Sequence, residues 1–346
     1  MKRLLFVLDD LSKQGYDTYC ISVNDSQLTT SSQNYNVRLF GADRSATRFM
    51  GMAIKTAWHS NYLLVGHVGQ GPVALILRSL GMVKRYGIIL HGIEAWERLP
   101  YLKRWALKKA DNVVATTHYT ADLCAQKNQL RKNQTTVIPL CITDDQPQPS
   151  DLKLNGKFKI LCVGRQAKSE YGKGYHTLLQ AMVSLNRDCP KAHLNLVGSG
   201  DDQERLIDMA RELGVEQCVT FLGTLSNADL QAAYKDCDVF AMPSKKEGFG
   251  IVFLEAMRWG KPCIGGNHGG TPEVVEEGKN GYLIEFEETE FLAKKILELA
   301  CDPKLRTDYG KHSLTLIASK FNAKSFNQKF KAVLQQDNNI FTESDE

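Results

Sequence analysis

Residues 243–262, PSKKEGFGIVFLEAMRWGKP, decide how this chain is read. Two carboxylates, Glu247 and Glu255, stand eight residues apart, and between them lie Gly248, Phe249 and Gly250 and then an apolar run beginning at Ile251. The glycines let backbone N–H groups approach a ligand closely. The apolar run starts a helix, whose N-terminus favours negative charge such as a phosphate. Glu255, on the first turns of that helix, is placed to accept hydrogen bonds from two neighbouring hydroxyls, as a ribose presents them. Glu247, in the loop, is placed to do the same for a hexose. Carboxylates suit diols because they only accept and have two oxygens to accept with.

Upstream, the β-rich run 158–163 ends in a glycine turn at Gly164, followed by Arg165 and then Lys173 before the next helix. Two cations at the carboxyl end of a parallel strand, beside a helix start, match a diphosphate. Gly198-Ser199-Gly200, after another strand, is a similar turn. Taken alone it is better explained as a tight strand-to-helix connection than as a ligand loop.

Around these motifs, short β-rich runs alternate with helical patterns, which predicts an α/β protein with parallel sheets. Strands are expected at 18–23, 37–40, 62–67, 87–91, 112–116 and 136–139, and again at 158–163, 193–197, 219–222, 239–242, 262–265 and 281–284. The polar stretch 143–156, TDDQPQPSDLKLNG, reads as a linker. Residues 1–150 then form one domain and 156–320 a second. Helix 321–336 is expected to return to the first domain, and 337–346 to be an acidic, disordered tail. At the N-terminus, Leu4, Leu5, Val7, Leu8 and Leu11 fit helical spacing better than a strand. A strand there would leave too short a crossover to the next one.

The composition of 43% hydrophobic and 24% charged residues is that of a globular protein, and no window is apolar enough for a membrane span. The opening apolar run is cut short by Asp9 and Asp10, so a cytoplasmic protein is expected, at the inner face of the cell membrane if it has a surface partner. Nine cysteines without CxxC spacing suggest reduced thiols and no zinc site. Residues 1–152 hold eighteen Lys/Arg and twelve Asp/Glu, a net +6 in a chain of formal charge +4. That excess favours an anionic partner or is simply a solvated basic surface. Helix 100–110, PYLKRWALKKA, concentrates it. A membrane-facing helix and an ordinary helix with its apolar side in the core both fit, the second better because the stretch is short.

The second half resembles a family 4 glycosyltransferase of the GT-B fold. The resemblance lies in VGRQAKSEYGKG (163–174), LNLVGSGDD (194–202), residues 219–263 with the paired glutamates, and GGTPEVVEEGKNGYLI (269–284). It implies two Rossmann-like domains facing across a cleft and transfer of a hexosyl group from a nucleotide diphosphate sugar to a saccharide or lipid-linked acceptor, with retention of configuration. Arg165 and Lys173 would bind the diphosphate, Glu247 the transferred sugar and Glu255 the ribose. Gly164, Gly198, Gly200, Gly248, Phe249, Gly250 and Ile251 would shape the donor site. Leu222, Thr224 and Leu225 would lie beside the base. No metal or further cofactor is implied, the two cations taking that role, and no nucleic acid partner.

The first half resembles the family less, best at ILHGIEAWERLP (89–100). His91 would end a strand near the donor sugar, and Glu94 would support it or meet the acceptor. His67 is a weaker acceptor-side candidate, better explained as a strand-end histidine bonded to its own loop. His118 stands where Thr117 or Thr120 could simply cap a helix. Family members usually open with a strand and a glycine-rich loop, which this chain does not show before Gly15. That departure supports one alternative to the transferase, a non-catalytic sugar-nucleotide-binding subunit; the other alternative, a nucleotide-sugar epimerase of the same fold, is argued against by the paired glutamates with their GFG. A dehydrogenase is disfavoured, since no GxGxxG opens a helix after the first strand.

Overall fold

Strand and helix alternate throughout the chain in a computed structural model, which describes residues 2–25, 36–58, 60–131, 134–143 and 148–335. The chain divides into two units, one of residues up to 140 together with those from 323 onward, the other of residues 141–322.

The first unit opens with helix α1, Lys2–Lys13, which buries Leu5, Val7 and Leu11 along one side. The leucine spacing is thus used as a helix. Strands β1 (Tyr19–Ser22) and β2 (Arg38–Gly41) pair in parallel, Tyr19 opposite Arg38. Helix α2 (Ala46–Ala57) is capped by Ser45, whose hydroxyl accepts from the Arg48 N–H.

A four-stranded parallel sheet follows in the order β3 (Ser60–Val65), β4 (Val83–Leu90), β5 (Asn112–Ala115), β6 (Thr135–Val137). Helices α3 (Gly71–Ser79), α4 (Tyr101–Lys109) and α5 (His118–Asn128) connect them. Each strand lies beside its predecessor, so right-handed crossovers place all three helices on one face. Tyr86, Ile88, Leu90, Leu107 and Val113 fill the core beneath them. The Tyr86 hydroxyl donates to the Ala106 carbonyl at 2.6 Å, fastening α4 to β4, and burial pushes its pKa up to about 12.

Two expectations change here. Strand β3 stops at Val65, so His67 lies beyond it rather than ending it. Helix α4 buries Ala106 and Leu107 but leaves Tyr101, Leu102 and Trp105 exposed, so most of its large apolar side chains are not in the core. Nine residues give only one inward stripe, and Ala106 and Leu107 fill it.

The second unit is one six-stranded parallel sheet in the order β12-β11-β10-β7-β8-β9. Its strands are β7 (Phe158–Val163), β8 (Ala192–Val197), β9 (Val219–Gly223), β10 (Val239–Met242), β11 (Cys263–Gly266) and β12 (Gly281–Ile284). Largely buried on both faces except at edge strand β9, these strands read as short apolar runs. Helices α6 (Tyr175–Asp188), α7 (Gln203–Glu212), α8 (Asn227–Asp236), α9 (Ile251–Met257), α10 (Thr289–Cys301) and α11 (Pro303–Ser319) intervene or follow. Two of them begin at side-chain caps: Ser226 accepts from the Asp229 N–H, and Asp302 from the Leu305 N–H.

The linker read at 143–156 is, in its described part, built into this second unit. Ser150 donates through its hydroxyl to Asp229 at 2.6 Å, and the Leu154 N–H donates to Asp236 at 2.8 Å. Residues 144–147 and the acidic tail 337–346 lie outside the described residues. Helix α12 (Ala323–Gln335) belongs to the first unit, where Lys331 pairs with Asp10 of α1. Among the described residues no helix is long and apolar enough to cross a membrane. Of the nine cysteines, all free, only Cys301 is exposed and Cys20 half-exposed; burial pushes the Cys162 and Cys237 thiols up to about 12.

Candidate active site

In the second unit the chain steps outward from β7 through β8 to β9, then returns to the other side of β7 and continues from β10 to β12. A crevice opens at such a reversal, outside the carboxyl ends of the two central strands, and ligands bind there in open α/β sheets. The loop after β7 carries Arg165 and Lys173. The loop after β10 carries Glu247.

Those two loops are joined at three points. The Lys245 N–H donates to the Gly172 carbonyl at 2.7 Å. Gly174 has φ +79°, and a Cβ there would collide with the Pro243 carbonyl, so only glycine lets the chains approach this closely. Between these contacts Lys173 Nζ donates to Glu247 Oε2 at 2.8 Å, with both side chains mostly buried. The Gly270 N–H donates to the Glu247 carbonyl at 2.8 Å, tying in the loop after β11. The cation assigned to the diphosphate and the acid assigned to the sugar are therefore direct partners, strengthened by the low dielectric around them.

Arg165 is exposed and pairs with the mostly buried Glu170, from the 3₁₀ segment Lys168–Lys173. Sequence reasoning did not single out Glu170; an acid between the two cations was the available signal. Glu255, on α9, accepts from the Tyr234 hydroxyl at 2.8 Å. Tyr234, on α8, is fully buried, and burial together with the adjacent carboxylate holds its proton well above the usual phenol range. Tyr234 was also missed, because α8 looks like an ordinary packing helix in sequence.

The glycine-rich segment divides in its roles. Gly250 caps α9 with φ +81°, and Ile251 begins that helix half-buried. Phe249 points into the core, edge-on to Phe321 at 6.0 Å, so its side chain is structural. At Gly198 φ is +124° and a Cβ would drive into the Gly164 carbonyl oxygen; a Cβ at Gly200 would meet the Gln166 carbonyl. The GSG segment is thus a close-packing turn, as its weakness as a motif suggested. It nevertheless links two loops, since the Ser199 and Thr224 hydroxyls are 2.9 Å apart. Leu222 lies within β9, Thr224 is exposed and Leu225 half-buried beyond it.

In the first unit His91 directly follows β4. Its Nε2 is 2.8 Å from the Gly66 carbonyl, and its backbone N–H donates to Glu94 Oε1 at 2.6 Å. A carbonyl can only accept, so Nε2 carries the proton in this arrangement. Glu94 therefore orients the His91 loop. His67 Nδ1 accepts from the Gly69 N–H at 2.9 Å, capping its own turn. Thr117 caps α5 by accepting from the Thr120 N–H, with His118 the first residue of that helix. No group of His, Cys, Asp or Glu among the described residues is arranged to hold a metal ion.

The family model described as glycosyl transferases group 1 matches residues 142–314. A GDP-mannose-dependent alpha-(1-6)-phosphatidylinositol monomannoside mannosyltransferase of Mycobacterium tuberculosis is 36% identical over 157 residues, 43% of this chain and 40% of that protein. The chain thus spans about two fifths of that relative's length. The protein of the same description from Mycolicibacterium smegmatis is 30% identical over 261 residues, 69% of this chain and 67% of its own. Among solved structures, Anabaena HepE in complex with UDP-glucose superposes with a TM-score of 0.79 at 22% identity, covering 96% of this chain and 95% of that one. That likeness shows a shared GT-B fold. With a matched family model across half its length and a relative aligned over two thirds of both chains, the protein belongs to the group 1 glycosyl transferases.

Proposed function

We propose that this chain transfers a hexosyl group from a nucleotide diphosphate sugar to a hydroxyl of a saccharide or lipid-linked acceptor, with retention of configuration and no resident metal ion. The observation that carries this is the Lys173–Glu247 pair, formed between the loops that leave the two central strands of the second sheet. It sets a cation for a departing diphosphate against an acceptor-only group for sugar hydroxyls.

In this mechanism Arg165 and Lys173 take up charge on the leaving diphosphate, the electrostatic contribution that commonly dominates such a step. Arg165 exchanges Glu170 for a phosphate, its exposed side chain being able to turn. Glu247 holds the sugar and keeps Lys173 in place. Glu255, oriented by Tyr234, holds the ribose hydroxyls. The acceptor hydroxyl attacks from the face the diphosphate leaves, and the departing phosphate takes its proton. Glu247 and Glu255 are thus not a glycosidase acid and base. Glu94 maintains the loop that carries His91.

Support comes from the relatives described as GDP-mannose-dependent and from the HepE complexes with UDP and UDP-glucose. Incubating the chain with UDP-, GDP- and ADP-sugars, with and without acceptor extracts, tests it. Nucleotide release that depends on acceptor supports a transferase. Sugar interconversion without acceptor would mean an epimerase, and binding without turnover a non-catalytic subunit.

A further inference from the structure

Helix α4 carries a surface that the transfer chemistry does not use. Tyr101, Leu102 and Trp105 are 68%, 58% and 44% exposed, and the two aromatic rings stack on each other at 6.3 Å. Lys103, Arg104, Lys108 and Lys109 share this nine-residue helix, and no acidic residue occurs between Glu97 and Asp111. No carboxylate among the described residues pairs with any of these four cations; Lys108 reaches only the Gln129 amide, at 3.4 Å. Neighbouring α3 packs against α4 where Gly71 meets Ala106, and Arg78 donates to the Lys109 carbonyl at 2.8 Å. It brings exposed Ile76 and Leu80 to the same helical layer.

Aromatic rings and a leucine left in water cost free energy, and four unpaired cations beside them repel one another. Both penalties are relieved by one kind of surface, an anionic bilayer. Tyr and Trp seat at the headgroup level, Leu102 reaches the acyl boundary, and the lysine and arginine stems extend their charges to phosphates. A protein partner would need a matching acidic rim around an apolar pocket, whereas an anionic lipid surface offers both without specific shape. We propose that α4 docks the first unit on the surface of a membrane containing anionic phospholipid. This surface is independent of the donor-site assignment, so either can fail without the other.

Flotation of the full chain with vesicles tests the proposal. Vesicles of phosphatidylglycerol and phosphatidylcholine in equal parts should carry the protein, and pure phosphatidylcholine vesicles should not. Binding should fall with added salt. Leu102→Ser with Trp105→Ser, and separately Lys108→Glu with Lys109→Glu, should each lower partitioning roughly tenfold or more. Circular dichroism should be unchanged in both, since the altered side chains lie outside the core. Wild-type protein that stays in solution with the anionic vesicles would overturn the proposal, as would variants that float equally well. So would a concentration-dependent dimer abolished by the Leu102/Trp105 substitutions, which would make a second copy the occupant.

Discussion

Lys173 and Glu247 leave opposite sides of the point where the second sheet reverses its strand order, and their charged groups meet at 2.8 Å. Each is mostly buried, so removal of either leaves a charge without its partner. Lys173→Ala should lower turnover by roughly a hundredfold or more, the scale of losing one preorganised donor to a developing anion. It should also destabilise the fold by about 1–3 kcal/mol, since a mostly buried carboxylate loses its hydrogen-bond partner. The double variant Lys173→Ala/Glu247→Ala should recover part of that stability and none of the turnover. Urea denaturation and steady-state kinetics on the same samples check both halves; full additivity of the stability losses would mean that the pair is not coupled.

Tyr234 acts through Glu255 and is a positioning residue. Tyr234→Phe removes one hydrogen bond to a carboxylate, worth about 1.5–3 kcal/mol, and leaves a ring of nearly the same shape in the core. Donor affinity, read by calorimetry, should fall roughly tenfold with kcat nearly unchanged. Glu255→Ala should weaken binding at least as much. Unchanged donor affinity in both variants would remove Glu255 from the site.

Glu170 holds Arg165 when no donor is bound. Glu170→Gln should leave the loop's shape intact and release the guanidinium, so donor binds more tightly. Arg165→Ala should lower kcat. Opposite directions from two partners of one ion pair distinguish a competing internal anion from a merely structural contact, and weaker binding in Glu170→Gln would favour the latter.

The acid response of the fold is set in part by two histidines. Burial lowers the pKa of His176, despite Glu287 beside it, and burial also lowers that of His193. The unfolded chain therefore binds more protons than the folded one below the ordinary imidazole value of about 6.5. Stability from these sites is present above that value and is lost as pH falls through it. Replacing both with Gln should flatten the stability profile just below about pH 6.5, measured by denaturant midpoint, while the later fall through the carboxylate range persists.

Much of the fold was legible because most strands of the second unit are buried on both faces and so read as short apolar blocks. Phe158–Val163, Val239–Met242 and Gly281–Ile284 lie where their residues predict. Gly198 was legible too: a glycine after a strand with no other ligand signal serves packing, and Gly198→Ala should cost several kcal/mol as a Cβ meets the Gly164 carbonyl at a left-handed φ. Pairings between polar side chains were not legible. Glu170 and Tyr234 are separated from their partners by 5 and 21 residues, and nothing local in sequence says which carboxylate a cation will meet. The outward face of α4 was misjudged for a related reason. Helical spacing tells which residues share a face, but not whether a neighbouring element covers that face.

A crystal structure of the chain with the tightest-binding of the UDP-, GDP- and ADP-sugars tests the central claim most directly. The account predicts the diphosphate on Lys173 and on an Arg165 turned away from Glu170, with Glu247 on the hexose and Glu255 on the ribose. A donor whose diphosphate lies away from Lys173 and Arg165, with the Lys173–Glu247 pair untouched, would contradict it.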